Sequence, residues 1–430
     1  MLNQITSGNS KTLTINALFC LFPISFIAGN LFINLNIFFL FSITFVLYYS
    51  ELKEFKLNLF DKIITLFFIY ILFTLAVNYL ESLFDANNFS SMIIKKSFLY
   101  IRYYCLYIAL RILIFHNQLK LNWFYIVSSF FVIFVCIDLF VQYFFVKDIF
   151  GNITLGSTRR LSGVFGEELI AGGYIQRFSI FAIFLPLFLN IKKDLNKYFI
   201  IALAVTVILG GLILSGNRMP FFLFLLSIFL IGALSINKKK FLILCTIVIL
   251  SLSFIYKNNS NFRNNITKYR AISTALFNVF ITKSSSVEIA VVQKKLPYVL
   301  EFYAANKFWK ENIFFGGGLK SYRINCPNNN CNSHPHNYYL EFLVDLGLIG
   351  FLIMGIFLFY TLYKIYKIRH ILKLNSNLDQ QTAIFFYILF IEFFPIRSTG
   401  SFFSTNNAAF IFFCLALLVS LIEKSENTKI

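Results

Sequence analysis

The chain has 430 residues, 58% of them hydrophobic, with 58 phenylalanines and a formal net charge of +19. Soluble domains are nearer half apolar; here the excess lies in uninterrupted runs and the mean hydropathy is +0.74, which excludes a soluble enzyme. The charge does not point to nucleic acid either. Lysines and arginines are spread over short connections between apolar segments, a positive-inside pattern that also suits contacts to anionic membrane lipids.

A spanning helix needs about 20 mainly apolar residues, and by that measure the expected fold is all-α and polytopic with about twelve transmembrane helices. They run near 12–29, 31–49, 61–80, 97–115, 122–146, 171–190, 198–214, 219–236, 241–256, 344–363, 383–400 and 404–422. No short cleavable signal with a small-residue cleavage site precedes them, so the first apolar run is expected to be retained. The basic groups Lys53/Lys56/Lys62, Lys192/Lys193/Lys197, Lys238-Lys239-Lys240 and Lys364/Lys367/Arg369/Lys373 fall at alternate connections. The positive-inside rule puts that side in the cytoplasm. The organisation expected is therefore helices 1 to 9 with short loops over 1–256, one large, partly helical periplasmic loop over 257–343, and the last helices with a cytoplasmic tail over 344–430.

Of the seven cysteines, Cys20, Cys105, Cys136, Cys245 and Cys414 lie in apolar runs and read as small hydrophobes. Within the large loop, residues 296–310 (LPYVLEFYAANKFWK) read as an amphipathic helix. Phe314-Phe315-Gly316-Gly317-Gly318-Leu319 follows as a turn in which backbone at Gly317 can approach a ligand. Cys326 and Cys331 flank a turn-forming Pro-Asn-Asn-Asn insert on the side where disulfides persist, and they are read as a disulfide pair.

The loop closes on Asn332-Ser333-His334-Pro335-His336-Asn337-Tyr338-Tyr339-Leu340-Glu341, which opens a hydrophobic helix. Pro335 suits the first helical position, making His334 the cap and placing His336 and Asn337 in the first turn. The positive end of the helix dipole there disfavours protonation and leaves a neutral histidine able to take a proton. A histidine-rich cap with no chemistry is the plainer alternative. Arg160, Arg218 and Arg397 fall on the same outer side, where the positive-inside rule gives no reason for them. Their planar donor forks suit phosphate oxygens. Charges inside spans (Arg102, Arg111, Asp138, Arg177 and Glu392) are read mainly as structural: Arg102 pairing with Asp138, Arg177 and Glu392 either pairing or lining a substrate path, and Arg111 snorkelling to the inner face.

These residues carry a family resemblance over roughly 150–420. His334-Pro335-His336-Asn337-Tyr338-Tyr339-Leu340-Glu341 running into Leu346-Gly347-Leu348-Ile349-Gly350 resembles the bacterial O-antigen ligase and O-antigen polymerase superfamily of polytopic membrane glycosyltransferases. Leu161-Ser162-Gly163-Val164-Phe165-Gly166, Leu214-Ser215-Gly216-Asn217-Arg218 and Asn312-Ile313-Phe314-Phe315-Gly316-Gly317-Gly318-Leu319 agree with it in order and spacing. The second departs from the family's Ser-x-Ser-Arg element, with Asn217 where serine is commoner.

The resemblance implies transfer of a glycan from an undecaprenyl-pyrophosphate carrier to an acceptor hydroxyl, at the periplasmic face of the inner membrane. The acceptor is a lipid A–core sugar for a ligase and a lipid-linked repeat unit for a polymerase. Inversion at the anomeric carbon, without a metal ion or cofactor, is also implied. On that reading His336 is the base, or His334 if the cap shifts by one residue. Arg218, Arg160 and Arg397 meet the pyrophosphate, and Asn337 and Glu341 orient or bind substrate. Two other classes compete. A zinc site would use His334, His336, Cys326 and Cys331, against the usual spacings. A transporter of a lipid-linked or anionic glycan would suit the span number, yet the polar residues gather at one face.

Overall fold

The computed structural model describes residues 10–84, 90–153, 160–189, 191, 194–235, 238–258, 260, 262–264, 266–267, 270, 297–326, 333–395, 397 and 400–427. The chain opens with α1 (Ser10–Cys20) and α2 (Phe22–Ala28), bent 44° from each other where Pro23 enters the second helix. Gly29, at φ +98°, then lets the chain reverse into α3 (Asn30–Leu47). There follow α4 (Tyr49–Glu54), α5 (Leu59–Phe84), α6 (Ser91–Phe115), α7 (Leu121–Phe145), α8 (Ala171–Phe188), α9 (Asp194–Leu214), α10 (Arg218–Ser235) and α11 (Lys238–Asn258). The amphipathic α12 (Pro297–Glu311) and short α13 (Ser321–Asn325) lead to the long α14 (Tyr338–Lys367), α15 (Asn377–Glu392) and α16 (Thr405–Asn427).

Among the described residues nine helices are long and apolar enough to cross a membrane, or ten if the bent α1–α2 pair is one crossing. Each of the twelve expected ranges meets a helix, but the apolar part of α10 is short and α15 has only 16 residues. The protein is thus a multi-pass, helical membrane protein. The core sits around α16, of which 89% of the most apolar stretch is buried, against 28% for α3. A helix apolar on every side can be either core or lipid-facing. Here phenylalanine packing decides: Phe413 of α16 stacks on Phe22 at 3.9 Å and on Phe19 at 5.2 Å, and Phe412 meets Phe68 at 5.0 Å. Phe38, Phe130 and Phe359 instead face outward.

Polar residues collect at the two ends of the bundle. At one end Arg111 is buried among Asp61 (2.8 Å), Glu423 (2.8 Å) and Ser420 (2.8 Å), with Tyr107 donating to Asp61. This corrects the snorkelling expectation, because Asp61 and Glu423 neutralise the guanidinium inside the bundle. Lys364 pairs with Glu426 at that end. At the opposite end the loops are laced together. Asn217 donates to Leu169 O (3.1 Å), Asn78 to Gly316 O (3.1 Å) and Asn337 to Pro395 O (2.8 Å). Just inside, Arg177 meets Glu392 at 2.6 Å, as expected. The expected Arg102–Asp138 pair does not form. Arg102 donates to Leu99 O and Tyr103 Oη and lies over the Tyr103 ring, while Asp138 accepts from the Ile149 amide at 2.7 Å.

α14 is not continuous. Gly347 takes φ +66°, ψ −170°, which interrupts the helical hydrogen bonding. The glycine-rich turn before α13 supplies the missing partners. Leu348 N donates to Ile313 O (2.8 Å) and Ile349 N to Phe314 O (3.3 Å), while Gly317 N reaches Val344 O (2.9 Å) and Gly318 N reaches Asp345 O (2.9 Å). Such exchange is what allows irregular backbone to persist in an apolar setting. A Cβ on Gly316 would fall 2.4 Å from Gly347 N, and one on Gly347 2.3 Å from Phe314 O. The expectation that Gly317 offers backbone to a ligand is therefore corrected: its amide is spent on the broken helix.

Candidate active site

Asn337, not His334, caps α14. Its Oδ1 accepts from Tyr339 N (3.0 Å) and Leu340 N (3.2 Å), the bonding expected of an N-cap residue. Helical geometry begins at Tyr338, so His334, Pro335 and His336 lie ahead of the helix and the first-turn expectation is corrected. His336 occupies the left-handed region at φ +51°, uncommon for a side chain with a Cβ and held only where surroundings require it.

That backbone turn brings three side chains together. The two imidazole rings lie 4.2 Å apart, edge to face. His336 Nε2 stands 3.6 Å from Oε2 of Glu301, a carboxylate buried on α12. His334 Nδ1 lies 3.0 Å from Ser333 Oγ, and its buried Nε2 has no hydrogen-bond partner among the described residues. Burial pushes the pKa of His336 down from its ordinary value. It pushes that of His334 down to about 3, helped by the neighbouring His336 and the charge of Lys320. Desolvation holds both rings neutral near pH 7, whereas the sequence pointed to a neutral ring for His336 alone, and through a helix dipole.

Glu341 faces inward one turn into α14. It accepts from Phe402 N at 2.6 Å and from Ser401 Oγ, and it lies 3.5 Å from Lys320 Nζ, which also contacts Ser401. Asp345, one turn on, accepts from Ser321 Oγ (2.9 Å) and from the amide of Lys320 (2.9 Å), a residue itself held at φ +71°. These two carboxylates tie α14 to the 319–322 turn and to the start of α16. Beneath them Glu392 receives Arg177, Arg397 (2.5 Å) and Tyr338 Oη (3.1 Å). Arg397 is buried with its charge met by Glu392, so its geometry is that of a brace.

Arg218 is the first residue of α10, half-buried, and its buried Nε has no partner among the described residues. Arg160 is exposed at the same end of the bundle. Cys326 is disulfide-bonded, which removes its sulfur from the set of zinc ligands considered above; Cys331 lies outside the described residues. Sequence reasoning missed Glu301, Lys320 and Asp345. Each acts across elements, and the only local signal was an acidic or basic residue within an otherwise apolar or aromatic stretch.

A close histidine pair beside a buried carboxylate, at one polar end of a bundle of apolar helices, makes the candidate site of a polytopic membrane protein. Over residues 202–355 the chain matches the family model described as O-antigen ligase, which bears out the resemblance to the O-antigen ligase and polymerase superfamily. The matched stretch contains Arg218, Glu301, both histidines, Glu341 and the Gly316–Gly347 contact, and it supports a membrane glycosyltransferase-like role in polysaccharide assembly. No curated protein matches the chain.

Proposed function

We propose that the protein transfers a glycan from an undecaprenyl-pyrophosphate carrier to an acceptor sugar hydroxyl at the periplasmic face of the bacterial inner membrane. The observation that carries this reading is neutral His336 set against Glu301 within the stretch that matches the O-antigen ligase family. The acceptor O–H proton passes to His336, the acceptor oxygen bonds to the anomeric carbon from the face opposite the carrier, and the anomeric carbon–oxygen bond breaks. Its electron pair stays on the diphosphate, and the configuration inverts. Glu301 favours the imidazolium that forms, and a positioned base of this kind is worth about 10²–10⁴-fold. Among the described residues no carboxylate pairs with His334, and its low proton affinity suits it to orienting the acceptor. Arg218 and Arg160 are the proposed contacts to the leaving diphosphate. Asn337, Glu341 and Arg397 hold the frame.

Two findings support the orientation: the Lys364–Glu426 pair and the Arg111 network share the far end, and the histidines lie at the other. The acceptor class follows from one experiment, deletion of the chain with gel analysis of the lipopolysaccharide. Core bearing a single repeat marks a polymerase; bare core with accumulated lipid-linked polymer marks a ligase. An unchanged ladder overturns the proposal.

A further inference from the structure

A cavity of about 170 Å³ lies beside the histidine site, between α3, the first turns of α6, the Leu319–Lys320 turn and the start of α16. Lys96, Arg102 and Lys320 line it, and Lys96 also feels the charges of Arg323 and Lys95. Among the described residues the carboxylates facing these cations are those of Glu341, at 3.5 Å from Lys320 Nζ, and of Asp345, which accepts from the Lys320 amide and also feels the Lys320 charge. Among the described residues neither Lys96 nor Arg102 meets an acid; Arg102 is held by Leu99 O and Tyr103 Oη, both at 2.8 Å.

The polar wall is also unsatisfied. Asn34 Oδ1, Tyr100 Oη and Arg102 Nε are buried, line this one cavity, and have no hydrogen-bond partner among the described residues. Buried polar groups are bonded as a rule, and several exceptions converging on one cationic space mark a place for a ligand. Outside the cleft, Leu31, Phe32 and Leu35 of α3 and Phe98 of α6 are exposed apolar side chains. On a membrane-spanning bundle these face lipid.

We propose that this cleft binds the phosphate or diphosphate group of an amphiphile whose hydrocarbon chain lies along the apolar surface of α3 and α6. Guanidinium and ammonium groups supply the charge-assisted bonds, and the Tyr100 hydroxyl adds a neutral donor. Arg218 is not among the residues lining the cleft, so the protein has two anion-binding places. The inference rests on the transfer reading only in taking that amphiphile to be a substrate. A reaction joining two membrane-anchored molecules needs a second headgroup site.

The test uses the full chain in phosphatidylcholine nanodiscs, titrated with geranylgeranyl diphosphate, geranylgeraniol and inorganic pyrophosphate. The diphosphate lipid is expected to bind, and the K96Q/R102Q variant to bind it about tenfold more weakly or worse. K96R/R102K, which keeps both charges, is expected to retain binding. Should the glutamine variant not fold, Asn34→Asp places a negative charge against the anion and is expected to weaken binding similarly. Undiminished binding in these variants overturns the site. Equal binding of geranylgeraniol or of inorganic pyrophosphate overturns the amphiphile. Conversion of labelled lipid-linked glycan, followed in parallel, separates the two readings. Turnover by protein whose cleft binds nothing sinks the cleft alone, and binding without turnover sinks the transfer reading alone.

Discussion

Burial gives a histidine a neutral ring at the expense of its basicity, and the two histidines strike that balance differently. With its pKa down at about 3, His334 holds a proton poorly at any pH the cell meets. His336 has the same kind of shift but faces Glu301, which recovers some affinity for the proton at the moment of transfer. His336→Ala is therefore expected to abolish transfer without loss of folded protein, measured as conversion of labelled lipid-linked glycan. His334→Ala is expected to leave residual turnover, and the reverse ranking would exchange the two roles. Glu301→Gln is expected to lower the rate about tenfold or more and to move the acid limb of the rate profile, since the positioning carboxylate acts through the imidazole.

The direction of these shifts fixes how stability depends on pH. Both folded-state pKa values lie below the ordinary value of 6.5, so the unfolded chain binds more protons in acid. The stability these neutral rings carry is fully present above about pH 6.5 and is lost as pH falls toward 3. Transfer depends on the folded-state ring, so it should stay flat with respect to His336 down through pH 6.5 and fall only once the pH drops below that ring's depressed pKa. The sequence displayed both histidines, but it tied the neutrality of His336 to a helix dipole and not to burial. It did not display Glu301, because the approach of α12 to the histidine turn depends on tertiary packing and not on any local pattern.

At the scale of elements, two glycine motifs that read separately as a ligand-binding turn and a closely packed helix prove to be halves of one contact. The break at Gly347 leaves amides and carbonyls that the 313–318 segment satisfies, and Tyr70 Oη adds a bond to Leu346 O at 2.9 Å. The same docking sets Lys320 and Asp345 beside the start of α16. Gly347→Ala combines a left-handed backbone, costing about 1–2 kcal/mol for a residue with a Cβ, with a contact to Phe314 O that cannot be kept. The expected result is a lower unfolding midpoint and loss of transfer together. Gly355, where an added methyl would meet open space, is the control: Gly355→Ala is expected to be neutral or slightly stabilising. The spans themselves were legible because each is a long apolar run; the break was not, since φ at Gly347 is fixed by a partner some thirty residues upstream.

At the scale of the whole molecule, the described residues include an arginine-centred buried ionic network near each end of the bundle, and the two do different work. The Arg177–Glu392–Arg397 group lies under the histidine turn and holds Tyr338, the first residue of α14. The Asp61–Arg111–Glu423 group joins α5, α6 and α16 at the far end. Removing one partner of a buried pair leaves an uncompensated charge and costs about 3–5 kcal/mol. Asp61→Asn should therefore lower the unfolding midpoint in detergent while turnover per folded molecule stays at the wild-type level. Glu392→Gln should lower both, because Tyr338 and Arg397 are released into the active end along with the lost pair. Equal loss of turnover per folded molecule in the two variants would mean that the ends are coupled through α16, whose length touches both. Sequence pairing rules could nominate Arg177 with Glu392, which sit on helices that meet at similar depth. They could not nominate Asp61 for Arg111, since that choice depends on which faces of α5 and α6 the phenylalanine core turns inward.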